Sequence, residues 1–240
     1  MHAPKQCTRR LVVAAACAAF ATGGTAYAGI APSVGFDIMA SDGTNESLML
    51  AGSNVGPDLF NYAGILNDNE GDWGITYDFF ASQDPTDALG AFLGTGFTVT
   101  NNTDGDLDFS LTLSLDIDPA ALPETDYAGS VGYTLNGIDG SLTTDTSLYA
   151  VFIGDTLIDT LFDAPFELSF DGVGTESVSE NLAGGMNGPA ETISIVMEFT
   201  LSSGDSLTTT GAFGITAVPA PGALALLGAA GLVGRRRRRD

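Results

Sequence analysis

The chain reads as an all-β protein, an antiparallel two-sheet β-sandwich of jelly-roll or immunoglobulin-like type. Three observations predict it. Leu107, Phe109, Leu111, Leu113, Leu115 and Ile117 alternate strictly with Asp108, Ser110, Thr112, Ser114, Asp116 and Asp118. Side chains along a strand point to opposite faces in turn, so this is the pattern of a half-buried antiparallel strand. Ile193, Ile195, Met197, Phe199 and Leu201 alternate in the same way with Ser194, Val196, Glu198 and Thr200. Elsewhere between Ser33 and Thr216 the apolar runs are short and punctuated by Gly, Asn, Asp and Pro, as in a sandwich of many strands.

Taken in order, residues 1–28 have the layout of a secretory signal peptide. Lys5, Arg9 and Arg10 supply a basic start, Leu11 to Ala21 a short apolar run, and Ala26-Tyr27-Ala28 a small-x-small cleavage site that makes Gly29 the mature N-terminus. The apolar run is short for the ~20 residues of a membrane span. Residues 29–217 form the body. Val34-Phe36-Ile38 and Leu48-Leu50 open it. Shorter alternating runs follow at Trp73-Ile75-Tyr77-Phe79, Phe97-Val99, Val131-Tyr133-Leu135, Tyr149-Val151-Ile153, Phe166-Leu168-Phe170 and Ala212 to Thr216. Asn101 to Asp106 has the chemistry of a hairpin loop, because Asn and Asp bond their own backbone and Gly105 accepts positive φ. Ser82–Ala91, Asp116–Ala128 and Asn181–Pro189 read as longer connections. No linker-like break in composition precedes Ala217, so one domain is expected.

Charge narrows the function. The formal net charge is −22, and every basic residue lies at an end. Between Gly29 and Gly234 there is no Lys and no Arg, and the single His is His2. A body of this kind has nothing to neutralise phosphates, so nucleic acid is excluded as a partner. Cys7 and Cys17 both fall in residues 1–28, which leaves the mature chain without thiols. Ser-His-Asp, Cys-His and Ser-Lys nucleophile systems cannot be assembled, and a zinc site of the usual His/Cys type cannot form. Glycoside hydrolysis by two carboxylates is the one common chemistry left. No pair of acids is singled out, so the chain is read as a non-enzyme.

Calcium is the remaining site chemistry, since hard cations take oxygen ligands. Asp104, Asp106 and Asp108 stand at alternate positions in D-G-D-L-D, and Asp68-Asn69-Glu70-Gly71-Asp72 is a second oxygen-rich cluster. Neither matches an EF-hand loop. Trp73 and Tyr77 share a face with Ile75 and Phe79, which points to core packing more than to a sugar platform.

Residues 218–240 are built differently. Pro219, Ala220 and Pro221 break the last strand. The apolar run Gly222 to Gly234 would span about 20 Å as a helix, short of the ~30 Å hydrocarbon core. Arg235, Arg236, Arg237, Arg238 and Arg239 follow and would stay on the cytoplasmic side. This order of parts resembles the PEP-CTERM sorting signal of bacterial exosortase substrates. The resemblance covers the last tenth of the chain, and Ala220 stands where that family usually has Glu. It implies export, signal-peptidase processing, transient tethering in the inner membrane through a short apolar helix, and cleavage near the Pro-x-Pro motif by an exosortase-like enzyme. The product would be released or held at the cell surface. The expected role is structural or adhesive, in the bacterial envelope or its exopolysaccharide matrix. The alternative is an extracellular carbohydrate-binding module, calcium-assisted, and a carboxylate-only glycosidase ranks third.

Overall fold

The structure, a computed structural model, describes residues 31–83, 90–117, 124–187 and 191–217. The expected signal peptide and the tail with its apolar helix lie outside these residues. Fifteen strands follow one another. The first half of the chain gives β1 (Val34–Ala40), β2 (Asn45–Leu50), β3 (Ser53–Gly56), β4 (Leu59–Asn67), β5 (Trp73–Gln83), β6 (Ala91–Asn101) and β7 (Leu107–Asp116). The second half gives β8 (Glu124–Ile138), β9 (Ser141–Thr144), β10 (Ser147–Ile153), β11 (Thr156–Asp163), β12 (Phe166–Ser169), β13 (Val173–Asn187), β14 (Thr192–Leu201) and β15 (Ser206–Ala217). No helix occurs among the described residues.

The strands form two antiparallel sheets. One runs β11-β10-β14-β7-β1-β2, with β9 and β12 attached beside β14. The other runs β13-β8-β15-β6-β5-β4-β3. The two runs with the clearest alternation, β7 and β14, lie side by side in the middle of the first sheet, paired from Leu107↔Leu201 to Asp116↔Thr192. Central strands covered on one face are where period-two patterning must be cleanest.

Inward residues of both sheets build one continuous core. Phe36 of β1 meets Phe79 of β5 edge-on at 5.1 Å, and Trp73 meets Phe109 of β7 edge-on at 6.3 Å. Such edge-to-face pairs add about 0.5–1.5 kcal/mol each beyond the area they bury. Trp73, Ile75 and Phe79 are core residues and Tyr77 packs against them, as their shared strand face implied. Two buried tyrosines hold their hydroxyls on backbone oxygens: Tyr62 donates to Pro32 O at 2.7 Å and Tyr133 to Leu148 O at 3.2 Å, while the Tyr149 hydroxyl has no partner among the described residues. Burial pushes the Tyr62 phenol up to about 12 and raises Tyr133 and Tyr149 as well.

Two connections differ from expectation. Asn101–Asp106 does not close a hairpin, because β6 lies in the second sheet and β7 in the first. It is an arch between sheets, organised by buried Asn101. The Asn101 amide donates to Gly105 O at 2.8 Å and Leu201 O at 2.9 Å, while its carbonyl oxygen accepts from Thr103 N at 3.0 Å. Asn181–Asn187 is not a loop but the end of β13, paired with β8 from Asn181↔Ser130 to Asn187↔Glu124. Gly184 sits there because the Tyr127 ring lies against its Cα, where a Cβ would collide with it. Glu124–Ala128, expected as connection, likewise belongs to β8.

One buried acid ties two turns together. Asp205 is 1% exposed. Its carboxylate accepts from Ile138 N and Ser141 N, both at 3.3 Å, and from the Ser202 hydroxyl. Gly137 and Gly140 leave the room that this carboxylate fills.

Candidate functional site

At one end of the sandwich the β1–β2 turn of the first sheet meets the β4–β5 turn of the second. Each turn folds by ordinary Asx chemistry. Asp42 Oδ1 accepts from Thr44 N at 2.7 Å, and Gly43 takes φ 93°. In the second turn Asp68 Oδ2 accepts from Glu70 N at 2.9 Å, Asp68 O accepts from Gly71 N at 3.1 Å, and Gly71 takes φ 81°. Asn102, at the start of the arch, braces this turn from below. Its backbone N–H donates to Asp72 O at 2.8 Å and its amide to Gly71 O at 3.0 Å. The turns are locked to each other by the Trp73 indole N–H, which donates to Asp42 Oδ2 at 3.0 Å.

The result is a three-carboxylate cluster. One oxygen each from Asp42, Asp68 and Asp72 lies within 4.8 Å of the others. Asp68 is 7% exposed, Asp72 half-buried and Asp42 exposed. No Lys, Arg or His exists between Gly29 and Gly234 to balance them. Two ligands on opposite sides of an ion, each at about 2.4 Å, are about 4.8 Å apart, so the spacing suits one shared hard cation. An all-oxygen donor set of this kind is foreign to structural zinc. The cluster can hold a metal ion.

Two of the three carboxylates were legible in the sequence, as the ends of the run from Asp68 to Asp72. Asp42 was not, because only the meeting of two turns from different sheets brings it in. Asp104, Asp106 and Asp108 lie elsewhere. Asp104 and Asp106 are exposed on the arch. Asp108 stands on β7, where its Oδ1 accepts from the Thr200 hydroxyl at 2.6 Å and its N–H donates to the Ser41 hydroxyl at 3.0 Å. Among the described residues the carboxylates that converge are Asp42, Asp68 and Asp72. The cleavage residues Ala26, Ala28 and Gly29, the motif Pro219, Ala220 and Pro221, and the arginines Arg235 to Arg239 lie outside the described residues.

Both sheets carry open clefts on their outer faces. On the first sheet a cleft of about 380 Å³ runs between Ser41, Asp108, Thr146 and Glu198. Glu198 accepts from the Thr146 hydroxyl at 2.9 Å. On the second sheet two hollows of about 490 and 460 Å³ adjoin at Phe92. Beside them a row of hydroxyls crosses five strands: Ser177, Thr134, Thr208, Thr98 and Thr76 stand opposite one another in register. Thr98 and Thr208 share a hydrogen bond at 3.1 Å, and Thr134 and Ser177 another at 3.0 Å. Phe80 and Phe92 are surface aromatics that the alternation hid. The signal that could have found Phe80 is the Phe79-Phe80 pair, which puts one ring on each face.

No family model and no curated protein matches the chain. Among solved structures it is similar to the enzymatically active domain of tailspike protein 4 of bacteriophage CBA120, at 16% identity and TM-score 0.28 over 62% of this chain and 20% of that one. It is also similar to TmCBM61 in complex with β-1,4-galactotriose, at 13% identity and TM-score 0.28 over 61% of this chain and 88% of that one. The chain thus spans about a fifth of the tailspike domain's length and most of that of TmCBM61. Likeness at this level does not bear on what the chain does.

Proposed function

We propose that this chain is an extracellular carbohydrate-binding β-sandwich, braced at one end by a calcium ion and carrying out no catalysis of its own. The observation that carries the reading is the body's chemistry. It has open, hydroxyl-rich outer faces, one convergent set of oxygen ligands, and no Lys, Arg, His or Cys. Such a surface recognises polyols through hydroxyls, carboxylates and aromatic faces. Nucleophile–base systems and phosphate clamps require residue types that it does not contain.

Calcium fits Asp42, Asp68 and Asp72 better than smaller divalent ions do. It accepts irregular sets of six to eight oxygens, with water filling the vacant positions. Bound there, it would offset the mutual repulsion of the three carboxylates and clamp the β1–β2 turn to the β4–β5 turn. In this reading the N-terminal segment ends at Ala28. The tail delivers the chain through the inner membrane to an exosortase-like enzyme, and the body works at the cell surface against exopolysaccharide. A purely structural or adhesive role in the same matrix is the second reading, favoured by the long paired ribbon of β8 and β13.

Three measurements test this. Glycan-array and polysaccharide pull-down assays should show retention on at least one neutral glycan, and retention on none would refute the carbohydrate reading. Titration calorimetry should show calcium uptake that is lost on changing Asp68 to Asn. Mass spectrometry of secreted chain should find Gly29 first and no Arg235–Arg239. An intact arginine tail would contradict the sorting step.

A further inference from the structure

The outer face of the seven-stranded sheet contains a trench. Period two places Phe80 on this face of β5, Phe92 and Gly94 on β6, Ala212 and Gly214 on β15, and Ala128 and Ser130 on β8. The register sets them in two adjoining rows. Phe80, Gly94, Ala212, Ser130 and Asn181 stand opposite one another across five strands. Ser82, Phe92, Gly214, Ala128 and Ala183 form the next row. Gly94 and Ala212 in the first row, and Gly214, Ala128 and Ala183 in the second, carry nothing larger than a methyl group, while the two phenyl rings stand at one side.

Phe92 does not project into solvent. A Cβ on Gly94 would lie 3.2 Å from two atoms of the Phe92 ring and 3.4 Å from Phe80 Cβ. The ring therefore lies down along its own strand, over the glycine and beside Phe80. Both phenylalanines are only half-buried. Two half-buried aromatic side chains on a solvent-facing sheet forgo part of the about 1.5–3 kcal/mol that full burial of each would bring, and adjoining exposed apolar surface marks a contact site. The hollows of about 490 and 460 Å³ that meet at Phe92 are edged by Asp78 at one end and Asp126 at the other.

Charge selects the occupant. Among the described residues lining the trench, the side chains charged at neutral pH are the Asp78 and Asp126 carboxylates, and the described residues contain no Lys, Arg or His. A uronate, sulfate or phosphate group would face like charge with nothing to pair it. A second copy related by a two-fold axis would set these acids against the partner's acids with no cation between them. A neutral polyol meets neither obstacle. Its ring C–H faces suit an aromatic plane and its hydroxyls donate to carboxylates. We infer that this trench is a binding site for a neutral, extended polysaccharide. Sugar rings stack on Phe92 and Phe80, and their hydroxyls bond to Asp78, Asp126, Ser130 and Asn181. The inference rests on the carbohydrate reading and assigns it a place.

The test uses the full chain with cellulose, a soluble neutral galactan and dextran as neutral probes, and alginate as the anionic one. Phe92→Ala and Phe80→Ala remove the platform. Ala212→Gln keeps both rings but raises a neutral side chain from the floor. Asp155→Asn changes one exposed acid in the β10–β11 turn of the other sheet, outside both the trench and the carboxylate cluster. Unchanged emission from buried Trp73, the single tryptophan, verifies the fold of each variant. The expected result is binding to a neutral probe, weakened about tenfold by each trench variant and unchanged by Asp155→Asn. Equal binding by wild type and trench variants overturns the trench and leaves the carbohydrate reading standing. No binding to any neutral probe overturns both. Preference for alginate, or a dimer that Phe92→Ala dissolves, overturns the trench.

Discussion

Changing Asp72 to Asn should have opposite effects with and without calcium. Asp72 is the member of the cluster whose carboxylate accepts no hydrogen bond from a described residue, so the substitution removes charge and little else. In metal-free protein its oxygen lies within 4.8 Å of those of Asp42 and Asp68. Two unit charges at that distance repel by about 0.9 kcal/mol in a water-like dielectric. Two such pairs, partly screened at ordinary ionic strength, come to about 1–2 kcal/mol. The variant should thus be more stable than wild type in chelator, melting about 2–8 °C higher at 2–4 °C per kcal/mol for a body of this size. With calcium at a hundred times its dissociation constant the wild type gains about 2.7 kcal/mol. The variant, with one ligand fewer, gains less, so the order of melting temperatures reverses. Differential scanning calorimetry in chelator and in calcium reads both arms. A variant that melts lower in chelator and shows the same calcium shift as wild type would refute both the repulsion and the shared ion.

The buried Asp205 carboxylate should matter more than any exposed acid. Asp205→Ala takes the carboxylate acceptor from Ile138 N and one of the two acceptors from Ser141 N, the other being Ser202 Oγ at 2.7 Å, and at about 1.5–3 kcal/mol per charge-assisted bond the loss is about 2–5 kcal/mol by urea denaturation. Thr209 is fully buried with a hydroxyl that has no partner among the described residues. Thr209→Val should raise stability by about 1 kcal/mol, read as a midpoint shift at constant m-value. Stability should fall in alkali. The folded-state pKa values of Tyr62, Tyr133 and Tyr149 are raised by burial above the ordinary 10. Above pH 10 the unfolded chain releases phenolic protons that the folded chain keeps, so their contribution is full below pH 10 and is lost as pH climbs toward 12. Phenolate absorbance from these rings should rise together with loss of the β-sheet circular dichroism signal, and a rise that precedes it would contradict their burial.

The sequence was most legible where a strand is central and covered on one face. The bounds of β14 are those of its alternation, and β7 stops one residue short of Ile117, because only one register buries Ile193 through Leu201 or Leu107 through Leu115. It was least legible at the edge. β13, from Val173 to Asn187, puts Ser177, Ser179 and Asn181 on one face and mixes Gly174, Glu176, Glu180 and Gly184 with Val178 and Leu182 on the other, so it shows no clean apolar stripe and is held by its ladder to β8. The arch at Asn101–Asp106 was read as a hairpin because Asn, Asp and Gly bend the chain alike whether it returns to its neighbour or crosses to the other sheet. The crossing is set by where Phe97 and Phe109 are buried, which is tertiary information. The same limit hid Asp42. Asp42 lies in a short Asp-Gly turn that the sequence does not set apart, and only the packing of two sheets gives it Asp68 and Asp72 as neighbours.

The place of β15 has a mechanical consequence. It is the last described strand, yet it lies inside its sheet, hydrogen-bonded to β6 on one side and β8 on the other along nearly its whole length. Any tension transmitted through Ala217 therefore pulls along the strand axis. Both ladders are loaded in shear, and their hydrogen bonds must yield together instead of opening one at a time, as an edge strand peeled outward would. A body gripped at that end while holding a fibre across its sheet face would behave as a stiff tether, resisting drag along the direction in which its backbone is most strongly cross-linked.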